Sequence, residues 1–369
     1  MPKIRTILFL LLLGGLVWFL YGDDYKQTGL SGVWGEIKDD IQHIKESDAV
    51  QQMQLGLENL LHYVTDKEEV PPTPDIEAPD LHQPTEQTFS VHNIEIHDQK
   101  STVEEDLNHA KRHSMNDYGI DWYTYHEHYH HFVMVAYDKN DQVVGLFTNQ
   151  DLISSTVDIT LETDKRTVRE QFGDPLQAIQ KGLVKYRIDD NDDQDTYVID
   201  NNYITFFYDV HQDNQVAAIQ IIAKELEDDK TDYFASPSKQ LTEGLEYQLF
   251  DLTNAARVKF GKTVLEWYEP ARLTAQHHSE DMAENNYFGH TNLAGLSPFD
   301  RLKEDDISFQ MAGENLATGQ ASSIYAHQGL MNSAGHRENI LKDEFRLMTV
   351  GVAFQDNGQP FYTENYLTK

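Results

Sequence analysis

An export-type leader heads a chain that contains no cysteine. Lys3 and Arg5 precede an apolar run from Ile7 to Leu20, broken only by Gly14 and Gly15, and Asp23 and Asp24 follow it. Positive charge before such a run and acid after it place the N-terminus inside and the rest of the chain outside. Exported domains with small cores usually lean on disulfides. None can form here, so each domain must be held by its hydrophobic core alone. Thiolate catalysis and cysteine-ligated zinc are excluded for the same reason. The run is short against the about 20 residues of a spanning helix, yet no small-x-small cleavage site precedes the acidic pair, and Trp18 and Tyr21 suit an interfacial belt. Residues 1–24 are therefore expected to be an uncleaved signal anchor, with a cleaved signal peptide as the alternative. The first puts the chain in the cell membrane as a single-pass protein with extracellular C-terminal domains. The second makes it secreted.

The charge balance narrows the partners. There are 62 acidic residues against 29 basic ones, a net of −33. Such a surface repels nucleic acid and anionic lipid headgroups, so no nucleic-acid partner is expected.

A length of 369 residues accommodates two modest domains plus connecting segments. Residues 25–66 read as a helical stalk, with Ile37, Ile41 and Ile44 and then Leu57, Leu60, Leu61 and Val64 at helical spacing. That stripe could pair with another copy, making an oligomer, or pack on its own protein. Residues 67–88 mix Pro71, Pro72, Pro74, Pro79 and Pro84 with acids and read as a linker. Residues 89–228 read as one β-rich domain. Val133 to Ala136 and Val143 to Phe147 flank the turn Asp138-Lys139-Asn140-Asp141, a hairpin signal. Thr156 to Leu161 alternates like a strand, and Thr167 to Phe172 predicts a short helix ended at Gly173-Asp174-Pro175. Tyr186 to Ile188, Tyr203 to Tyr208 and Val216 to Ile222 are further strands. The acidic stretch from Asp189 to Asp195 is expected to be a solvated turn, since it lacks the glycine and distal glutamate of a calcium loop.

Residues 229–240 form a second linker, and a second domain spans 241–369. Leu245, Leu249, Leu252 and Ala256 share one helical face. Pro270 opens a second helix that runs to Asn285, and Thr349 to Phe354 and Phe361 to Tyr366 flank Asp356-Asn357-Gly358 as a hairpin. Helices first and strands last indicate α/β layers. Within this domain His290, Glu314 and His336 each stand in a short, punctuated motif: Phe288-Gly289-His290-Thr291, Gly313-Glu314-Asn315 and Gly335-His336-Arg337-Glu338-Asn339. Two imidazoles and a carboxylate that converge can hold a divalent metal or share a proton. Each also has a bland reading. His290 could bond a loop carbonyl, Glu314 could accept backbone N–H groups, and His336 could pack beside a helix start capped by Ser333.

The ordered set of motifs carries a resemblance. Asn254 and Arg257, His278-Ser279 with Met282, and Asn285 to Thr291 come first. Leu296 to Arg301, Gly313-Glu314-Asn315, Met331-Asn332-Ser333 and Gly335 to Leu341 follow, with Gly351-Val352-Ala353 and Thr363 to Tyr366 last. Together they resemble the CAP superfamily (cysteine-rich secretory, antigen 5 and pathogenesis-related 1 proteins) in its cysteine-free bacterial form. The preceding domain resembles the CAP-associated N-terminal domain of Bacillus-type membrane proteins, through Asp138 to Asn149 and Phe172 to Pro175. The resemblance implies an α/β chain: a C-terminal α-β-α sandwich preceded by a β-rich α+β domain, behind an N-terminal membrane anchor helix. It implies a cleft in which His290, Glu314 and His336, with the neighbouring Asn315 and Glu338, bind a ligand. The first three are candidate ligands for a divalent metal such as zinc. The late cleft histidine of eukaryotic members is replaced around Arg346-Leu347-Met348.

A second histidine group, Tyr125 to His131, would place His126, His128 and His130 on one face if it were a strand. That face could take zinc or copper, or lie exposed as an ordinary aromatic strand. No nucleophile motif of the Gly-x-Ser-x-Gly kind and no His-Glu-x-x-His are present. The reading favoured by the residues is a surface-anchored binding or scaffold protein that engages an envelope ligand or protein. The alternative is a metal-assisted hydrolase acting on peptide or envelope polymer.

Overall fold

A computed structural model of the chain describes residues 76–369 apart from 182–183 and 189–192. The anchor, the stalk, residues 67–75 of the first linker and the core of the acidic stretch lie outside the described residues. Among the described residues, no helix is long and apolar enough to cross a membrane.

The N-terminal domain is built on β1 (Phe89–Val91), α1 (Lys100–Leu107), β2 (Arg112–Met115), β3 (Asp121–Glu127), β4 (His130–Tyr137), β5 (Val143–Thr148) and β6 (Ile153–Ser155). It continues through α2 (Lys165–Phe172), β7 (Ala178–Lys181), β8 (Val184–Arg187), β9 (Gln194–Ile199), β10 (Asn202–Asp209), β11 (Gln215–Ala223) and α3 (Lys224–Asp229). Seven of these strands form one antiparallel sheet in the order β2-β3-β4-β5-β11-β10-β9. β4 and β5 are buried along most of their length, so their near-continuous Val, Phe and Leu runs serve both faces. The expected β4–β5 hairpin is present, with Asp141 in the left-handed region at its turn. The expected α2 is capped by the Asp164 carboxylate, which accepts from the Thr167 N–H. One expectation fails: Thr156 to Leu161 forms no strand. Only Ile153–Ser155 pairs, with β1, and Asp158 then turns the chain at φ 56°.

The C-terminal domain contains α4 (Lys239–Lys259), β12 (Glu266–Trp267), α5 (Arg272–Asn285), α6 (Pro298–Glu304) and β13 (Met311–Thr318), then α7 (Ser323–Asn332), α8 (Ala334–Ile340), β14 (Leu347–Phe354) and β15 (Pro360–Thr368). Its sheet order is β12-β14-β15-β13. Strand alternation assigns the layers. Val350 and Val352 of β14 share a core with Leu245 and Leu249 of α4. Gly351 points the other way, where a Cβ would sit 2.2 Å from the Gln276 backbone nitrogen of α5. Helix, sheet and helix thus stack as the α-β-α sandwich that the resemblance implies.

α4 joins the two domains into one packed unit. Its Leu252 and Ala255, with Ile324 of α7, belong to the core of the seven-stranded sheet. The Gln248 amide donates to the Ser114 and Met115 carbonyls, and the Gln150 amide donates to the Ala255 carbonyl. The Tyr129 hydroxyl donates to Asp251 at 2.9 Å. Gly244 lies against β2 so closely that a Cβ would fall 2.0 Å from the Met115 carbonyl oxygen.

Gly244→Ala is expected to destabilise the chain by about 1–3 kcal/mol or more, since overpacking against backbone outweighs the about 1 kcal/mol that alanine gains in a helix. Urea unfolding checks this, and a neutral or stabilising result would contradict the close approach.

Candidate functional site

α6 starts the site. Ser297 and Asp300 form a reciprocal capping box and Pro298 presets the first turn. This fixes Arg301 one turn in, buried, with its guanidinium turned back on the preceding loop. Arg301 Nη1 donates to the carbonyls of His290 at 2.7 Å and Leu296 at 3.1 Å. Its Nη2 donates to Glu314 Oε2 at 2.5 Å. Glu314 comes from β13, the edge strand of the sheet, and its side chain is 2% exposed. Its other oxygen, Oε1, lies 2.9 Å from His290 Nδ1.

That carboxylate contact assigns the histidine tautomer. A carboxylate accepts, so Nδ1 carries a proton, and in the neutral ring Nε2 is then the acceptor. The His290 ring is 53% exposed, so this acceptor faces solvent while the carboxylate behind it does not. His336, near the start of α8, is half-buried. Burial, and then the neighbouring His290 imidazole, hold its pKa below the ordinary value. Its Nδ1 is buried without a partner. His290 and Glu314 are thus in contact, and His336 lies near enough for the His290 imidazole to act on it. His278 of α5 stands behind them, with Nε2 3.1 Å from the Gly289 carbonyl. Burial lowers its pKa, and Arg301 lowers it further, while Glu314 acts in the opposite sense.

The other expected cleft residues fall elsewhere. Asn315 follows Glu314 on the strand and so faces the opposite side, fully buried. It donates to the His336 carbonyl at 3.2 Å and to Glu364 Oε2 at 3.0 Å, and accepts from Asn339 at 2.9 Å. It pegs α8 to the sheet. Glu338 is exposed, with Lys342 3.8 Å away. Ser333 is the N-cap of α8 but its side chain makes no capping bond. Asn254 and Arg257 are structural too. Asn254 exchanges two bonds with the Leu265 backbone, and Arg257 donates to the carbonyls of Thr263, Ile340 and Lys342.

The donor set does not make a three-ligand metal centre. Both oxygens of Glu314 are engaged, one by a cation, and among the described residues no group of three or more His, Asp or Glu side chains could hold an ion. The second histidine group is corrected as well. β3 ends at Glu127 and β4 starts at His130, with His128 and Tyr129 left-handed in the turn between them. His126, His128 and His130 therefore do not share a strand face. His126 instead stacks on Tyr129, 4.1 Å between centroids, and burial drives its pKa down to about 4.

Two residues outside the expected site matter to its support. Arg301 appears in sequence only as the end of a turn motif, and the capping box three residues earlier is the signal that locates it. Glu364 of β15 is fully buried beneath the site, accepting from Asn315 and, at 2.6 Å, from the Tyr366 hydroxyl. Burial raises its pKa from 4.5 to about 7. The folded state thus binds a proton that the unfolded state releases. Stability from this group is full below about pH 4.5 and is lost as pH rises through 7. Glu364→Gln keeps the shape and is expected to flatten that dependence and to add on the order of 1–3 kcal/mol at pH 8. Thermal melts of both proteins from pH 5 to 8 check it. An unchanged slope would contradict the buried carboxylic acid.

Comparison with known proteins supports both domains. Residues 250–366 match the profile of the cysteine-rich secretory protein family, and residues 96–233 match the profile described as CAP-associated N-terminal. Two Bacillus subtilis proteins are similar over about a third of this chain. An uncharacterized membrane protein, YlbC, is 40% identical over 131 residues, which is 36% of either chain. An uncharacterized protein, YkwD, is 38% identical over 124 residues, 34% of this chain and 47% of that one. The aligned regions thus span less than half of either relative. Among solved structures, an extracellular SCP-domain protein from Bacillus anthracis superposes with a TM-score of 0.65 at 23% identity, over 80% of this chain and all of that one. A cysteine-rich secretory protein from Staphylococcus aureus gives 0.58 at 16%, over 78% of this chain and 98% of the other. At these identities the structures establish the shared fold.

Proposed function

Since the chain belongs to the CAP superfamily and carries a CAP domain behind a CAP-associated N-terminal domain, we propose that it is a surface-anchored extracellular protein that binds an envelope ligand or protein through the His290–Glu314 cleft. The apolar run at residues 7–20 would tether it to the membrane. The observation that carries the binding reading is the double engagement of Glu314. With Arg301 on one oxygen and His290 on the other, the buried carboxylate is a support that orients the ring. What the site offers a partner is the exposed imidazole with Nε2 as an acceptor.

The surroundings of His290 fit a binding rim. The segment that carries it also exposes Phe288, Leu293 and Phe299, at 53%, 66% and 44%. Exposed large apolar side chains gathered around a polar group mark contact surfaces.

Sedimentation of the purified full chain with isolated cell envelopes tests the proposal. His290→Ala is expected to weaken binding about ten-fold, as loss of about 1.4 kcal/mol at one contact would, with the melting temperature kept. Equal sedimentation of the two proteins would defeat the cleft as the binding site. One equivalent of zinc in the purified protein, lost in both His290→Ala and His336→Ala, would instead support the metal-assisted hydrolase.

A further inference from the structure

A cavity of about 310 Å³ lies away from the cleft, where the two domains meet. Its floor is one face of the seven-stranded sheet. Tyr203, Thr205 and Phe207 alternate along β10, and Gln220 and Ile222 along β11, with Thr205 directly opposite Gln220 in the register. Its wall comes from the C-terminal domain: Thr318 to Ala321 after β13, and Tyr325, Gln328 and Gly329 of α7. This size is at the low end of small-ligand sites, about 300–1,000 Å³.

Two observations indicate that the space is kept for a ligand. Gly329 sits inside α7, where glycine weakens a helix, and a Cβ built there meets nothing within 4 Å. No packing constraint requires the glycine, and any larger residue would take up cavity space. Gln320 also lines the cavity, and its Oε1 is buried without a hydrogen-bond partner. Such an atom costs free energy unless something bound supplies a donor. Of the charged groups that line the cavity, Glu227 accepts from the Tyr118 hydroxyl at 2.6 Å and Lys230 bonds Asp117, while Arg187, Asp193 and Asp232, none of them on β10 or β11, also line it.

The part of the lining formed by β10, β11, the segment after β13 and α7 is neutral. Aromatic rings stand beside carboxamides, as Tyr325 packs edge-on to Phe207 with 5.2 Å between centroids. Each glutamine amide offers both a donor and an acceptor. A sugar ring has a matching surface, an apolar C–H face rimmed by hydroxyls that donate and accept. Anionic ligands are disfavoured by the net charge of −33.

We propose that this interdomain cavity is a binding site for a small uncharged saccharide, held against the β10–β11 face and hydrogen-bonded by the amides of Gln220, Gln320 and Gln328.

Saturation-transfer NMR on the purified full chain tests this, with glucose, galactose, mannose and N-acetylglucosamine as probes. At least one is expected to receive magnetisation. Its affinity is expected to fall ten-fold or more in Gly329→Leu, whose side chain enters the cavity while its backbone gains helix propensity, so the melting temperature should hold or rise. Gln328→Ala should also weaken binding, and it decides the matter if Gly329→Leu fails to fold. Transfer to none of the four sugars would overturn the proposal. So would unchanged affinity in the folded variants, which would put the sugar elsewhere. Binding of an apolar dye such as anilinonaphthalene sulfonate without any sugar would replace the saccharide with an apolar ligand.

Discussion

The structure depends on α4 being buried on nearly every side. A surface helix shows one apolar stripe and one polar face. α4 has two inward faces. Leu245, Leu249 and Ala256 pack into the core of its own sheet, while Gly244, Gln248, Asp251, Leu252 and Ala255 face the N-terminal domain. A chain without disulfides has only burial to hold its parts together, and sharing one helix between two cores enlarges both. Gln248, Asp251, Asn254 and Arg257 are tolerated on α4 because each has a specific partner. Asp251 is fully buried, and burial pushes its pKa up to about 6 even with Arg112 and the Tyr129 hydroxyl beside it. Glu246 is raised to about 7 against the pull of Arg272. Glu246 is satisfied within its own domain, whereas Asp251 reaches across to Tyr129 and Arg112, so a shifted interface would strand its buried carboxyl.

The cleft follows the same logic on a smaller scale. Glu314 can be buried at the sheet edge only because Arg301 meets one oxygen and His290 the other. Arg301 in turn is held by two loop carbonyls, and α6 that carries it is set by Ser297, Pro298 and Asp300. The exposed imidazole is thus the outer end of a rigid chain of contacts that begins at a helix cap. A histidine so supported keeps one tautomer and one orientation, which suits recognition as well as it would suit proton transfer.

Much of this was legible in the sequence, and the failures have physical causes. Hairpins with runs of Val, Ile and Phe around Asp-Asn turns were readable, because period and turn chemistry agree at β4–β5 and β14–β15. The end of α2 was readable from Gly173-Asp174-Pro175, and α5 runs to Asn285 as expected, while the start of α2 at Lys165 was missed by two residues. β13 was not. Met311 to Thr318 contains Gly313, Glu314 and Asn315, which local propensity assigns to a loop, and only pairing with β15 makes it a strand. The converse error came at Thr156 to Leu161, where alternation suggested a strand but no neighbouring edge was available. The cluster from His126 to His131 hid a two-residue turn, because left-handed histidine and tyrosine give no signal comparable to glycine. The pairing of His290 with Glu314 could be expected from the family motifs and not from spacing. The roles of Asn315 and Glu364 turned on strand parity, which could not be assigned until β13 and β15 were known to pair.

The two ligand-facing regions differ in what holds them. The cleft is charged, built within one domain, and rests on the Arg301–Glu314 pair. The cavity has a neutral floor on β10 and β11, lies between domains, and exists only while α4 and α7 keep the seven-stranded sheet at its present distance. A protein that merely presented a cleft would need no second domain packed so tightly against it. The N-terminal domain supplies the floor of the cavity through β10 and β11, and the C-terminal domain supplies its wall through α7. Arg337 to Asp209 at 2.7 Å and Asn332 to the Tyr208 carbonyl at 2.9 Å clamp that junction close by. The buried polar contacts across α4 therefore have a consequence beyond stability: they fix the spacing on which an interdomain site depends.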